Sequence, residues 1–353
     1  MEQEPLRLSL HGVGLELQAD NPGFLDYAHR YLHHLVGGTV ERVPIKVRLA
    51  WGKSLVSADD EYRERLGRRI LLNDKGVVQT AVLALPGLQL GAALTGDGLV
   101  IEAGYRFPSH RSRLGYILQG QAGKTRLFVT LTYFLVYFPL FWYLERKRGW
   151  YLLHAAAVAH PHGGIVLAGL PGVGKSTFAL ALLSDPAARL LADNLVFCDG
   201  ERVYAFPEPI HLDRRSRALL PDLGERLGAA GQAFSHGRYD YQLAPATRAD
   251  VTSPRLVGIL HLAPEGGVRS LAREVCMERL LTYDKLAKET DEYSKQAAIW
   301  DLLSPRGKQS QRRLEMLERL MSRVDCYEIA VQAGVNLRPV IEDVRRLAGW
   351  SHD

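Results

Sequence analysis

The sequence predicts an α/β protein, α+β overall, built from two domains. Three observations support this. A buried strand, a glycine-rich turn and a helix follow one another over residues 165–183. Hairpin signals flank this unit on both sides. The first 105 residues are rich in short strand-like runs separated by turn signals, and 353 residues are enough for two domains.

The N-terminal part, residues 1–123, is predicted to be an α+β domain that is rich in strands. Residues 6–17 alternate apolar and polar side chains around glycines, which is typical of a hairpin. Asn21 and Pro22 are suited to open a helix that we expect to reach Leu35. Residues 43–51 form the next strand. We find no catalytic motif in this domain.

A connecting helix is predicted over residues 124–148. Residues 127–144 carry no charge and charged residues, mostly basic, flank them. The length of this run is at the lower limit for a transmembrane helix. Pro139 and several Thr and Tyr residues within the run argue against a membrane span. We expect a buried helix or a homo-oligomer interface, and membrane attachment stays open as the alternative.

Composition limits the choice of partners. The net charge is +5, but the basic residues are scattered, so no nucleic acid is expected. The three cysteines are far apart and lack metal-ligand spacing, which indicates reduced thiols in a cytoplasmic protein. The N-terminus is acidic and polar, unlike a signal peptide.

Residues 169–177, in the predicted second domain (149–353), have the phosphate-loop spacing G-x-x-x-x-G-K-[ST]. Such a loop turns its backbone N–H groups and the positive end of the next helix toward an anion. The motif therefore predicts a bound mononucleotide. The residues assigned to it are Gly169, Pro171, Gly172, Val173, Gly174, Lys175, Ser176 and Thr177.

The chemistry expected beside the loop needs a cation, a carboxylate and a metal. Lys175 is expected to reach the outer phosphates, and the Ser176 hydroxyl to ligate Mg²⁺. Asp193 ends an apolar strand about one helix length later, where a carboxylate can hold Mg²⁺ or act as general base. A turn aspartate is its simpler interpretation. Residues 152–158 are predicted to form the strand that pairs with the loop's own strand. His154 sits at its start, and a packed core histidine is its alternative.

These landmarks, in this order, resemble the HPr kinase/phosphorylase-related kinases, including stand-alone relatives such as lasso-peptide kinases. The matching segments are Leu153–Val158, Gly169–Thr177, Leu191–Asn194 and Phe206–Pro209. The resemblance implies a phosphoenolpyruvate-carboxykinase-like core with a mixed β-sheet, and ATP- and Mg²⁺-dependent phosphorylation of a serine hydroxyl. It makes Asp193 the general base, with His154 beside it.

The sequence also departs from that family. Asn194 stands where the family has a second aspartate, which removes one charge from the metal site expected of Ser176, Asp193 and Asn194. Thr177 replaces a glutamate, and the glycine- and arginine-rich signature used on HPr is absent. The expected function is therefore a kinase for another hydroxyl acceptor, in a peptide, protein or metabolite. A regulatory nucleotide-binding module or plain NTPase is the alternative. Residues 206–255 are expected to frame the acceptor entrance, and 221–255 to be a long functional loop or lid region, or partly disordered. Candidates to bind an acidic group of the acceptor there are His211, Arg214, Arg215 and Arg238, with ordinary solvated side chains as the alternative.

Overall fold

A computed structural model describes residues 4–36, 42–55, 64–74, 76–218, 220, 238–241, 245–303, 309–332, 334 and 337–350 of the chain. The chain divides into two compact units. The first comprises residues 1–148 and 292–307, and the second comprises residues 149–291 and 308–353. Both units contain helices and mixed sheets, so the predicted α+β class is confirmed.

The first unit is built on one eight-stranded sheet. Its strands are β1 (Leu6–Leu10), β2 (Val13–Ala19), β3 (Ile45–Trp51), β4 (Glu64–Leu66), β5 (Ile70–Asn73), β6 (Gly76–Gln79), β7 (Leu88–Thr95) and β8 (Gly98–Tyr105). Their order is β1-β2-β3-β8-β7-β6-β5-β4. The neighbours β2/β3 and β3/β8 are parallel and the other pairs are antiparallel. The predicted hairpin over residues 6–17 is the β1/β2 pair.

The helices of this unit pack through aromatic side chains. They are α1 (Pro22–Tyr31), α2 (His110–Leu118), α3 (Gly120–Thr132) and α4 (Phe138–Arg148). A wider π-helical turn joins α3 to α4, so residues 120–148 form one helix of 29 residues. This helix is long and apolar enough to cross a membrane, yet 78% of its most apolar 18-residue window is buried inside the structure. The prediction of a buried helix is therefore confirmed.

The second unit contains two larger sheets and one small one. Its strands are β9 (Tyr151–Leu153), β10 (Ala155–Ala159), β11 (Gly164–Gly169), β12 (Arg189–Ala192), β13 (Val196–Cys198), β14 (Val203–Ala205), β15 (Ile210–Asp213), β16 (Arg238–Tyr241), β17 (Val251–Thr252), β18 (Pro254–Leu262), β19 (Gly267–Ser270) and β20 (Asp325–Val331). The six-stranded sheet has the order β12-β10-β11-β18-β20-β19, the four-stranded sheet β17-β14-β13-β9, and the small sheet β15-β16.

The six-stranded sheet is buried on both faces. The later helices are α5 (Lys175–Leu182), α6 (Arg214–Ala218), α7 (Arg273–Leu286), α8 (Lys288–Trp300), α9 (Gln309–Arg323) and α10 (Arg338–Leu347). Alternate residues of β11 point to opposite faces, as strand geometry requires. Leu167 joins the core formed with α5 and α10, and Val166 joins the core formed with α7 and α9. The helix that directly follows the phosphate loop is α5.

The structure corrects the sequence-based division at one segment. The predicted second domain ran unbroken from residue 149 to 353, but residues 292–307 group with the first unit. The cause is aromatic packing along α8. Tyr293 contacts Phe138, with ring centroids 5.8 Å apart, and Trp300 contacts Trp142 at 6.4 Å. Large aromatic surfaces contribute most to burial, so α8 packs with the aromatic helix.

Three further local predictions differ from the structure. Residues 152–158 are not one strand: β9 and β10 belong to different sheets and meet at His154. The helix that begins at Asn21 ends at Tyr31, where a short 3₁₀ turn replaces it. The predicted long loop over 221–255 contains β16 and β17 and the start of β18, while its residues 221–237 and 242–244 lie outside the described residues.

Candidate functional site

The glycine-rich loop leaves the carboxyl end of β11, a central strand whose neighbour β18 runs parallel to it. Gly172 and Gly174 both have positive φ angles, of 83° and 100°, which side chains with a Cβ rarely adopt. Gly174 is also the N-cap of α5. The two glycines let the loop curl so that α5 begins at Lys175, and its first N–H groups point back into the curl.

Gly169 is required for a different reason, which is close packing. A Cβ at this position would lie 2.8 Å from the backbone oxygen of Leu260 on β18 and 2.8 Å from Cγ1 of Val173. The loop therefore starts in tight contact with the neighbouring strand. Val173 is buried beneath the loop and holds it against the sheet.

Lys175 is buried at the start of α5, with 6% of its surface exposed. Its Nζ donates to the carbonyl oxygens of Gly169, at 3.0 Å, and Leu170, at 3.4 Å. Burial lowers the pKa of Lys175 to about 8, while the charges of Asp193 and Glu289 oppose this shift. The ammonium is thus held inside the loop, where an anion would meet it.

The site residues meet where the chain crosses between two sheets. β9 pairs with β13 in the four-stranded sheet through Leu153 and Val196, and β10 pairs with β12 in the six-stranded sheet through Ala157 and Ala192. The two segments separate between these pairings, at His154 in one segment and at residues 193–195 in the other. The separation lies beside β11 and places His154 and Asp193 next to the phosphate loop.

The His154 imidazole faces Asn194 and Lys175. Burial is the main cause that lowers the pKa of His154 to about 3, and the Lys175 charge adds to it, while a hydrogen bond with the Asn194 side chain opposes it. Within the described part of the chain, Nδ1 of His154 is buried without a hydrogen-bond partner. The ring is neutral at physiological pH, because its pKa lies far below that range.

The predicted metal ligands are adjacent. The Ser176 hydroxyl donates to the backbone oxygen of Asp193 at 3.3 Å, and Asn194 is the next residue. Among the described residues, no cluster of three His, Cys, Asp or Glu side chains has metal-binding geometry. The Ser176 hydroxyl and the buried Asp193 carboxylate are hard oxygen groups of the kind that Mg²⁺ uses together with water and substrate phosphates.

Arg248 and Glu208 join the site although the sequence analysis did not assign them a role. The Arg248 backbone bridges Leu190 of β12, which places its guanidinium within electrostatic range of Asp193. Arg248 Nη2 donates to the backbone carbonyl oxygen of Glu208 at 3.4 Å. The Glu208 side chain is buried. Burial lowers the pKa of Arg248, and the Asp193 charge opposes this. Arg248 thus links the Asp193 region to the Phe206–Pro209 landmark.

Glu289 is a further residue to which the sequence analysis assigned no role. It lies in the first turn of α8, half-buried, and its charge acts on Lys175. A single glutamate in a charged helix has no local signal that sets it apart from solvated neighbours. Four residues were predicted from the sequence as candidates to bind the acceptor. The side chains of His211, Arg215 and Arg238 lie outside the described part of the structure, and Arg214 is exposed.

Comparison with known proteins yields distant similarity to solved structures. No protein-family model matches the chain, and no curated protein matches it. Among solved structures it is similar to the Hpr(Ser) kinase/phosphatase from Coxiella burnetii, with 11% identity and a TM-score of 0.26. The similarity covers 57% of this chain and 99% of that one. A TM-score this low establishes no common fold, so it carries no argument about function.

Proposed function

We propose that the protein is an ATP-dependent kinase that transfers the γ-phosphate to a hydroxyl group, with serine in a peptide, a protein or a small metabolite as the acceptor class. One observation carries this: Lys175, Asp193 and His154, from three separate segments, meet at the mouth of a phosphate loop. A carboxylate beside such a loop is common to proteins that bind Mg²⁺ with the nucleotide, so the buried imidazole next to it is the feature that favours group transfer.

Each residue has a role in this proposal. The loop N–H groups and Lys175 bind the outer phosphates of the substrate ATP. Asp193 accepts the proton of the attacking hydroxyl, and the Arg248 charge beside it stabilises the ionised carboxylate. The neutral His154 ring orients the Asn194 amide. Ser176 and Asp193 are the residues that would hold Mg²⁺, which supplies charge neutralisation on the phosphates when bound.

The test is a comparison of two aspartate variants in phosphotransfer from radiolabelled ATP to a panel of seryl peptides and small alcohols. Asp193→Asn removes the base, so transfer should fall by about 10²- to 10⁴-fold while ATP affinity measured by calorimetry changes less than about threefold. Asp250→Asn, at an exposed aspartate of the same unit, is the control and should match wild type. Full activity of Asp193→Asn would refute the assignment.

The alternative is a regulatory nucleotide-binding module. Asn194 favours it, because an amide replaces one negative charge at the metal side of the site. It predicts ATP binding without transfer to any acceptor in the panel, and no difference between Asp193→Asn and wild type in product formed. The same two measurements therefore separate the functions.

A further inference from the structure

The backbone at His154 lacks the partners that a strand would give it. Residues 151–153 pair in one sheet and residues 155–159 in another, so His154 belongs to neither ladder. The residue is buried, with 4% of its surface exposed. A buried N–H without a partner is destabilising, so a group from outside the sheets must satisfy it.

Asp284 of α7 supplies that group. Its Oδ1 accepts from the His154 N–H at 2.6 Å. Its Oδ2 accepts from Arg313 of α9 at 2.5 Å, and the same guanidinium nitrogen donates to the Leu152 carbonyl at 3.0 Å. The pair therefore holds the chain on both sides of Leu153, through a carbonyl before it and an N–H after it. Such charge-assisted bonds are short and directional.

The pair depends on both members. Asp284 is buried, with 7% of its surface exposed, and burial raises the pKa of this carboxyl while Arg313 and the His154 N–H oppose the shift. Removing one partner of a buried ion pair leaves the other charge uncompensated. Hydrogen bonds also stabilise the corner between α7 and α8, where the Thr290 hydroxyl donates to the carbonyls of Asp284 and Ala287. The corner carries Glu289, whose charge acts on Lys175.

We propose that Asp284 and Arg313 are positioning residues of the candidate site, which fix the backbone at the sheet crossing so that the His154 imidazole stays against Asn194 and Lys175. The proposal rests on the proposed function for its activity readout. Neither residue touches the phosphate loop in the contacts found among the described residues. Their effect is exerted through His154 and through the corner that presents Glu289.

The experiment measures the His154 ring directly, by ¹⁵N chemical shifts of the imidazole at pH 7.5 in the full chain, assigned with His154→Gln. The wild-type ring should give one set of shifts, because the hydrogen-bonded backbone on both sides of Leu153 holds it in one orientation. In Asp284→Asn and Arg313→Lys the crossing loosens, so the imidazole signals should move and broaden or split into a second set. Arg313→Lys keeps the charge and supplies the same measurement if Asp284→Asn fails to fold.

The matched control breaks a different ion pair on the same helix. Arg279 of α7 pairs with Glu328 at 2.6 Å, so Glu328→Gln disturbs α7 without touching His154. It should leave the imidazole shifts unchanged. Two results would overturn the proposal: the same change in the imidazole chemical shifts in all three variants, or wild-type chemical shifts in Asp284→Asn and Arg313→Lys. In either case the pair would act only on stability or not at all.

Kinetics separate this proposal from the function it rests on. With transfer detected, both positioning variants should lower kcat at least about tenfold and leave the KM for ATP within about twofold, since the loop itself is unchanged. If the wild type transfers no phosphate, the kinase function fails while the imidazole shifts still decide the positioning role. If transfer is normal and the shifts are unaltered, only the positioning role fails.

Discussion

Lys175 is a buried cation whose charge depends on two carboxylates from different parts of the chain. Asp193 follows β12, and Glu289 opens α8. Burial lowers the pKa of Lys175 to about 8, and both carboxylates act in the opposite direction. The ammonium therefore carries its charge below pH 8 and loses it as the pH rises through that value. Phosphate binding should follow the same pH range.

Glu289→Gln tests this dependence. Removing one of the two opposing charges lowers the pKa of Lys175 further, so a larger fraction of the amine is neutral near pH 8. ATP affinity, measured by calorimetry across pH 6 to 8.5, should drop about three- to tenfold at pH 8 and change little at pH 6. Glu278→Gln, at an exposed position of α7, is the control. A loss of affinity that is the same at every pH would contradict the prediction.

The residues of the site differ in how far the sequence reveals them. Lys175 and Ser176 follow from a motif whose spacing the loop geometry requires, and Asp193 from its place after an apolar strand. Arg248 and Glu289 come from segments 55 residues or more further along the chain and have no such signature. Only the backbone bridge at Leu190 and the corner after α7 bring them to the site.

At the scale of the element, the unit of β11, loop and α5 is set by close packing as much as by loop conformation. The carboxyl end of β11 lies against β18 with no room for a side chain at Gly169. A glycine at the first motif position is thus a packing requirement here. The positive φ angles at Gly172 and Gly174 are a separate, conformational requirement.

Gly169→Ala should therefore destabilise the second unit. The added Cβ meets a backbone oxygen at 2.8 Å, which the sheet must move to accommodate, at a cost of about 1–3 kcal/mol. Urea denaturation of the full chain measures the loss, and ATP protection against unfolding should be reduced. Gly267→Ala is the matched control, because a Cβ there would have nothing within 4 Å and should leave the midpoint within error. Equal midpoints for both variants would disprove the packing argument.

The predicted strand over residues 152–158 illustrates what an element prediction misses. Its composition is apolar throughout, apart from His154, so periodicity cannot reveal a change of sheet. The pairing partners decide the change of sheet: β9 pairs with β13, whereas β10 lies between β11 and β12. The break at His154 is the feature on which the candidate site depends.

At the scale of the whole molecule, the chain passes twice into the first unit. Residues 292–307 belong to it although they lie between segments of the second unit. Tyr293 and Trp300 are 2% and 1% exposed, respectively, and their neighbours are aromatic side chains of α4, including Phe138 and Trp142. A division of the sequence at residue 149 would leave both rings without those contacts.

Expression of residues 149–353 alone tests this organisation. Tyr293 and Trp300 then expose surface that the aromatic helix covers, so we expect aggregation in size-exclusion chromatography and a low soluble yield. A matched form in which a glycine–serine linker replaces residues 292–307 should elute as one species and bind ATP. A monodisperse, nucleotide-binding 149–353 with its native segment would show that the contacts of α8 are dispensable.

The sequence by itself determined the loop, its lysine and serine, the α+β class, the β1/β2 hairpin and the strand and helix on either side of the loop, because these depend on local spacing, glycine conformation and apolar periodicity. The tertiary structure alone decided the change of sheet at His154 and the Asp284–Arg313 pair that bonds the backbone there. It also decided that Glu289 and Arg248 lie at the site and that residues 292–307 belong to the first unit. These join segments that are far apart in the chain. Their contacts arise from sheet pairing and burial, which no local pattern encodes.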